Sequence, residues 1–266
     1  PAVELWSVSK PVLYNAQFQL EEAGGGTSWS VADAMNVSVG FRTLNWTSEH
    51  GLFVNSRKLK LRGFSNHDSF AGVGTAVPDR INLFRVHALK ALGANTWRMA
   101  HNPYSSSVYG LLDILGVLAW DETRDFSLIY LQDLHDMVKR DRTHACVAAW
   151  SLCNEYECHQ EKMNQTQLAF QASINSLDGG RPSAANTKTS YSFAGIDLLG
   201  FSHGDVAIYA QFHAAHPSKP LVLRECCSCI SQRLSARSEG SCMHDQSTAG
   251  SVDFNAGSLG VWTLMD

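Results

Sequence analysis

No stretch of this sequence approaches the roughly 18 consecutive apolar residues that a membrane span needs, so no membrane anchor is expected. Basic residues are few and scattered, with 21 Lys and Arg against 25 Asp and Glu for a net charge of -4. Without a basic cluster there is no electrostatic footprint for nucleic acid. The amino terminus PAVELWSVSK has no charged segment followed by an apolar one, so no signal peptide is visible, and the compartment stays open. It also does not open on Met, which suggests a processed or partial chain. The seven cysteines lack the two separated C-x2-C pairs of a zinc site, and buried free thiols are the default expectation. Sequons at Asn36, Asn45 and Asn164 are of a kind that a chain rich in Ser and Thr produces by chance.

What is present is apolar residue, 44% of 266, enough for a substantial core in a soluble globular chain. Residues 1–45 hold short β-like runs, Val12–Tyr14, Gln17–Leu20 and Val37–Val39, around the flexible Ala23-Gly-Gly-Gly-Thr27. A few strands cannot bury two sheet faces, so this segment reads as part of a sandwich that leans on something else. From residue 46 onward, short apolar runs alternate with segments of helical period, the pattern of repeated βα units.

Eight runs occur: Leu59–Phe64, Asn95–Ala100, Gly116–Asp121, Val147–Leu152, the weak Ser183–Asn186, Asp197–Phe201, Pro220–Arg224 and Gly260–Leu264. Helix candidates between them are Asp79–Leu92, Ser105–Leu115, Leu128–Arg140 and Glu161–Leu177. Eight parallel strands with helical crossovers predict an α/β fold, a (β/α)8 TIM barrel over 46–266 that lacks its last helix. A doubly wound sheet would put a Gly-rich phosphate loop after its first strand, where this chain has Ser65-Asn-His-Asp68.

Barrel sites lie at the carboxyl ends of the strands. Those ends carry Asn66, His67 and Asp68, then Arg98 to Asn102, Asp121 and Glu122, Asn154 and Glu155, Ser202 and His203, Glu225, and finally Trp262 with Asp266. Taken singly, each has an ordinary reading: a His or Asp there is more often a helix cap or loop hydrogen-bonder, Asp121-Glu122 a solvated turn, Trp262 core filler. Jointly, two glutamates ending strands four and seven face each other across one mouth. Paired carboxylates suit glycosidic cleavage, retaining when about 5 to 5.5 Å apart and inverting at roughly 6.5 to 9.5 Å.

Val39-Gly-Phe-Arg42, Leu61-Arg-Gly-Phe-Ser-Asn-His67, Asn95-Thr-Trp-Arg-Met-Ala-His-Asn-Pro103, Leu115-Gly-Val-Leu-Ala-Trp-Asp-Glu122, Met137–Arg142, Trp150-Ser-Leu-Cys-Asn-Glu155 and Val261-Trp-Thr263 resemble, in order, signatures of glycoside hydrolase family 2. That family holds β-galactosidases, β-glucuronidases and β-mannosidases. The resemblance implies that 1–45 is the carboxyl-terminal part of an immunoglobulin-like β-sandwich and that 46–266 is the catalytic barrel. It implies a retaining mechanism with Glu155 as acid/base and Glu225 as nucleophile. Asn154 would bond the sugar 2-hydroxyl, Arg98 would keep Glu225 ionised, and His67, Asp68, His101 and Asn102 would line the sugar pocket above a Trp262 floor.

Some positions depart from the family. Gly200-Phe-Ser-His-Gly204 stands where an Asn and a Tyr are usual, so His203 would take the tyrosine's hydrogen bond. Thr143-His-Ala145 replaces Asn-His-Pro, and Cys226-Cys-Ser-Cys229 follows the nucleophile. Thr123–Ser127 lacks the metal-liganding residues of some β-galactosidases, so no metal and no cofactor are expected. The partner is a carbohydrate substrate, and self-association or a larger assembly is allowed without a fixed number. The Asn66–Gly74 and Val77–Asp79 stretches look closest to β-galactosidases. A β-glucuronidase, or a silent barrel serving as a structural or carbohydrate-binding subunit, stays open as the alternative.

Overall fold

A computed structural model describes residues 2–24, 29–155, 158, 163–187, 193–202, 206–225 and 258–262, with backbone alone at 206–207, 223–225 and 258–262. Two antiparallel units come first. Strands β1 (Tyr14–Ala23) and β2 (Trp29–Val39) form a hairpin in the register Tyr14↔Val39 to Ala23↔Trp29. Strands β3 (Leu44–Thr47), β4 (Gly51–Val54) and β5 (Arg57–Leu59) form a meander. The meander packs on the larger unit through Trp46, whose ring meets that of Trp120 at 5.5 Å.

The larger unit is an eight-stranded parallel sheet of the TIM-barrel type. Its strands are β6 (Leu61–His67), β7 (Thr96–Ala100), β8 (Leu118–Glu122), β9 (Val147–Asn154), β10 (Ser183–Thr187), β11 (Leu198–Ser202), β12 (Leu221–Glu225) and β13 (Ser258–Trp262). They pair in the order β12-β11-β10-β9-β8-β7-β6-β13, and the two end strands, β12 and β13, lie against each other. All eight expected runs are therefore strands. The central ones are buried along their length, as Val147 to Cys153 illustrates, because a parallel sheet under helices has no wet face. Gly63 of β6 is required by close approach: a Cβ there would lie 2.2 Å from Thr96 of β7.

Helices α1 (Asp79–Ala91), α2 (Ser106–Leu115), α3 (Leu131–Asp141), α4 (Asn164–Leu177) and α5 (Val206–Ala215) cover the sheet. In α3, Leu134, Met137, Val138 and Asp141 are buried, the i, i+3, i+4, i+7 stripe of a helix lying on a core. The expected helix from Leu128 starts as a short 3-10 turn, Leu128–Tyr130, before α3 takes over. Helix α2 ends at Gly116, whose φ of 68° is left-handed and lets the chain turn directly into β8.

The amino ends of the strands form a floor sealed by arginines. Arg42 gives Nε to the carbonyl of Ala145 and Nη2 to that of Val147. Arg181 donates to the carbonyls of His144, at 3.1 Å, and Arg142, pairs with Asp178, and stacks 4.9 Å from the Trp150 ring. Burial, and next the charge of Arg181, pull Arg42 down to about 10, so it stays cationic at neutral pH. Trp150 thus faces the helical layer: its Nε1 donates to Asp178 at 2.8 Å.

Candidate active site

Each strand of the large sheet delivers its last residues to the same end, so alternation along a strand decides what faces inward. Strand β8 shows the rule. Asp121 points to the helices, where it accepts the Tyr109 hydroxyl of α2 at 2.7 Å. Glu122, one residue on, points inward and is fully buried. The expectation of a solvated turn at Asp121-Glu122 is corrected: both lie within β8, and both are 0% exposed.

A buried carboxylate persists only where charges and donors compensate it. For Glu122 these come from the two flanking strands and the residue that follows one of them. Arg98 of β7 donates Nε to Oε2 at 3.1 Å and Nη2 to both carboxylate oxygens at 2.9 and 2.8 Å. His101 Nδ1 lies 2.8 Å from Oε1, and Ser151 of β9 donates its hydroxyl at 2.8 Å. The network runs on around the mouth. Arg98 also donates to Asn154 Oδ1 at 2.8 Å, as does Asn186 of β10 at 3.1 Å, and Asn186 reaches the Ser202 hydroxyl of β11 at 2.5 Å. Ser202 is in register with Glu225, the last residue of β12.

Glu155 follows Asn154 directly and is half-buried, with a φ of 52° in the left-handed region. His67 and His101 meet edge to face at 5.6 Å. The peptide between Ala100 and His101 is cis. Partial burial raises the Asp68 carboxyl above its ordinary range, against the opposing charge of Arg85. Asn102 is turned to its own chain, donating to the Pro103 carbonyl at 3.1 Å.

Of the expected site residues, His67, Asp68, Arg98, His101, Asn102, Asn154 and Glu155 are described at the carboxyl ends of β6, β7 and β9. Arg98, Asn154 and His101 are joined in one network. Arg98 meets Glu122, Asn154 and His101, and its expected pairing with the Glu225 carboxylate falls outside the described residues. The side chains of Glu225 and Trp262, and all of His203, Cys226–Cys229 and Asp266, lie outside the described residues. Backbone register places Trp262 of β13 beside Ser65 of β6.

Ser151 and Asn186 went unmarked in the sequence, and Glu122 and Ser202, although noted at strand ends, were given no part in the site. A polar residue inside an apolar run is the signal that would have found them, since it needs a partner once buried. The cysteine expectation is also corrected in part. Cys153 and Cys158 form a disulfide, their Cα atoms 5.6 Å apart, while Cys146 is a buried free thiol. Burial, aided by the charge of Asp113, pushes the Cys146 thiol well up and leaves it inert. Among the described residues no group of three His, Cys, Asp or Glu side chains could hold a metal ion.

Residues 47–129 match the TIM barrel domain of the glycosyl hydrolases family 2. A β-galactosidase of Thermoanaerobacter pseudethanolicus is 30% identical over 156 residues, covering 55% of this chain and 20% of that protein. Human β-glucuronidase is 28% identical over 210 residues, covering 72% of this chain and 32% of that protein. The chain thus spans about a third or less of either relative. A glycosyl hydrolase family 2 member from Bacteroides cellulosilyticus superposes with a TM-score of 0.81 at 26% identity, over 98% of this chain and 35% of that one.

Proposed function

The chain carries the TIM barrel domain of the family 2 glycosyl hydrolases, and on that premise we propose that it is a retaining β-glycosidase acting on terminal β-linked sugars, β-galactosides first. The observation that carries the reading is the polar belt from Glu122 through Arg98, Asn154 and Asn186 to Ser202. It spans the ends of five strands, β7 to β11, and includes the neighbours of both glutamates that would do the chemistry. Glu155 stands beside Asn154, and the backbone of Glu225 stands beside Ser202.

In this mechanism the Glu225 carboxylate attacks the anomeric carbon while Glu155 gives its proton to the departing glycosidic oxygen. The product is a glycosyl ester on Glu225 and a free aglycone. Esterification removes the charge of Glu225, the acidity of Glu155 rises, and it then takes a proton from water as that water attacks the anomeric carbon. The sugar leaves with its configuration kept and both carboxyls restored. Asn154, oriented by Arg98 and Asn186, would meet the 2-hydroxyl, and Glu122 balances the charge of Arg98. His67, Asp68, His101, Asn102, His203 and Trp262 complete the sugar pocket in this reading.

β-Glucuronide hydrolysis is the second reading, favoured by the human relative of that name. We also propose that residues 1–45 are the carboxyl-terminal part of an immunoglobulin-like sandwich. Supporting this, the β1–β2 hairpin pairs Tyr14 with Val39 and Phe18 with Met35 on one face, and Phe18 and Met35 are 57% and 59% exposed. Apolar side chains aligned along one side of a hairpin are the mark of a sheet that packs on another.

Hydrolysis of chromogenic β-galactoside and β-glucuronide, measured side by side, tests the reading. Glu155→Gln and Glu225→Gln should each lower kcat on the preferred substrate by about a hundredfold or more. Undiminished turnover in both variants would sink the two-glutamate mechanism, and no turnover of either sugar by the parent protein would leave the silent-subunit alternative standing.

A further inference from the structure

A residue other than glycine or asparagine keeps a left-handed backbone only where its surroundings hold it there. Around Glu155 they do so from both sides. Before it, Asn154 is fixed by Arg98 and Asn186. After it, Cys158 is pinned at three atoms: its N–H donates to the Glu155 carbonyl at 3.0 Å, its carbonyl accepts Nε2 of the buried Gln167 of α4 at 2.8 Å, and its sulfur is bonded to Cys153 of β9. Gln167 is tied in turn to Gly195, whose N–H lies 3.4 Å from Oε1. The two cysteines are only five positions apart and both are buried. Stabilisation from a cross-link grows with the length of chain it closes, so a ring this short holds the whole fold weakly and its immediate neighbours strongly.

We propose that the Cys153–Cys158 disulfide is a positioning device that holds Glu155 at the angle needed for proton transfer, an inference that rests on reading Glu155 as the acid/base. Reduction by a dithiol would return both sulfurs to thiols as the dithiol itself becomes a disulfide, and the strand end would lose its clamp. Chemistry at Glu225 would persist, because β12 carries that residue independently. The defect should therefore appear where the proton matters. A poorly activated, alkyl leaving group needs an acid, and an activated aryl leaving group scarcely does.

The test compares the parent protein with Cys153→Ala/Cys158→Ala and with Cys158→Ala alone, using para-nitrophenyl and methyl glycosides of whichever sugar, galactose or glucuronic acid, is turned over. A displacement of about 1 Å can cost on the order of a hundredfold, so kcat/KM on the methyl glycoside should fall by about that factor. On the aryl glycoside it should fall less than about tenfold, and the basic limb of the pH profile should move. Parent protein treated with dithiothreitol and alkylated at Cys153 and Cys158 should behave like the double variant, which covers the case in which the double variant does not fold. Equal losses on both glycosides, no loss on either, or a non-reducing peptide map showing Cys153 and Cys158 as free thiols would each overturn the proposal. Glu155→Gln separates the two levels of inference. If it shows no dependence on the leaving group, the acid/base assignment has failed, and the clamp with it. If it does and the cysteine variants do not, the clamp alone has failed.

Discussion

The two ends of the barrel use the same side chain to different purposes. On the floor, Arg42 and Arg181 donate to the main-chain carbonyls of Ala145, Val147, His144 and Arg142, fixing where β9 begins. At the mouth, Arg98 gives its donors to the side chains of Glu122 and Asn154. A guanidinium that holds backbone secures the fold, whereas one that holds side chains sets the direction and charge of groups that can react. Position along a barrel strand, more than residue type, separates structural from chemical roles.

The sharpest way to break that contrast is Arg98→Met. It strands the fully buried Glu122 carboxylate, and removing one partner of a buried ion pair typically costs about 3–5 kcal/mol. Urea denaturation should show a loss of that size together with a loss of kcat; stability unchanged while activity falls would mean that the pair is not the anchor its geometry implies. The floor counterpart, Arg42→Met, orphans two carbonyls and should cost about 1–3 kcal/mol while leaving kcat alone. A fall in kcat there would erase the distinction between the two ends.

A third test uses the layer between sheet and helices. Burial, reinforced by the Asp141 charge, raises the Asp121 carboxyl well above its ordinary range, with Tyr109 of α2 and with Asp141 and Arg140 of α3 facing it. Its folded pKa exceeds its unfolded one, so its contribution is fully present below about pH 3.9 and is lost as pH climbs through the folded value. Asp121→Asn, permanently neutral, should differ from the parent by no more than about 1 kcal/mol in acid and should gain on it as pH rises. Parallel stability curves would contradict this. The smallest effect belongs outside the barrel. Phe18→Thr on the exposed hairpin should stay within about 0.5 kcal/mol of the parent, and a larger loss would mean that this face is already covered.

The strands were legible in the sequence because parallel strands buried on both sides read as unbroken apolar runs, such as Val147 to Leu152. Helix α5 was not: Val206–Ala215 is apolar on most sides and carries no amphipathic stripe. Within the site, Glu155 could be found because it ends a strand beside Asn154. The burial of Glu122 could not, because a strand that runs two residues past its last apolar position looks the same as one that has turned into solvent. The Cys153–Cys158 bond was equally hidden, since which of seven thiols pair depends on distances that spacing does not fix.

The proposed retaining mechanism requires above all that Glu225 form a covalent bond to the sugar. Incubation with a deoxyfluoro β-galactoside or β-glucuronide carrying an activated leaving group, followed by peptide mapping by mass spectrometry, locates that bond. The predicted result is a glycosyl ester on the peptide containing Glu225. An ester on Glu155 or Glu122, or an absence of any adduct together with release of sugar in the inverted configuration, would contradict it.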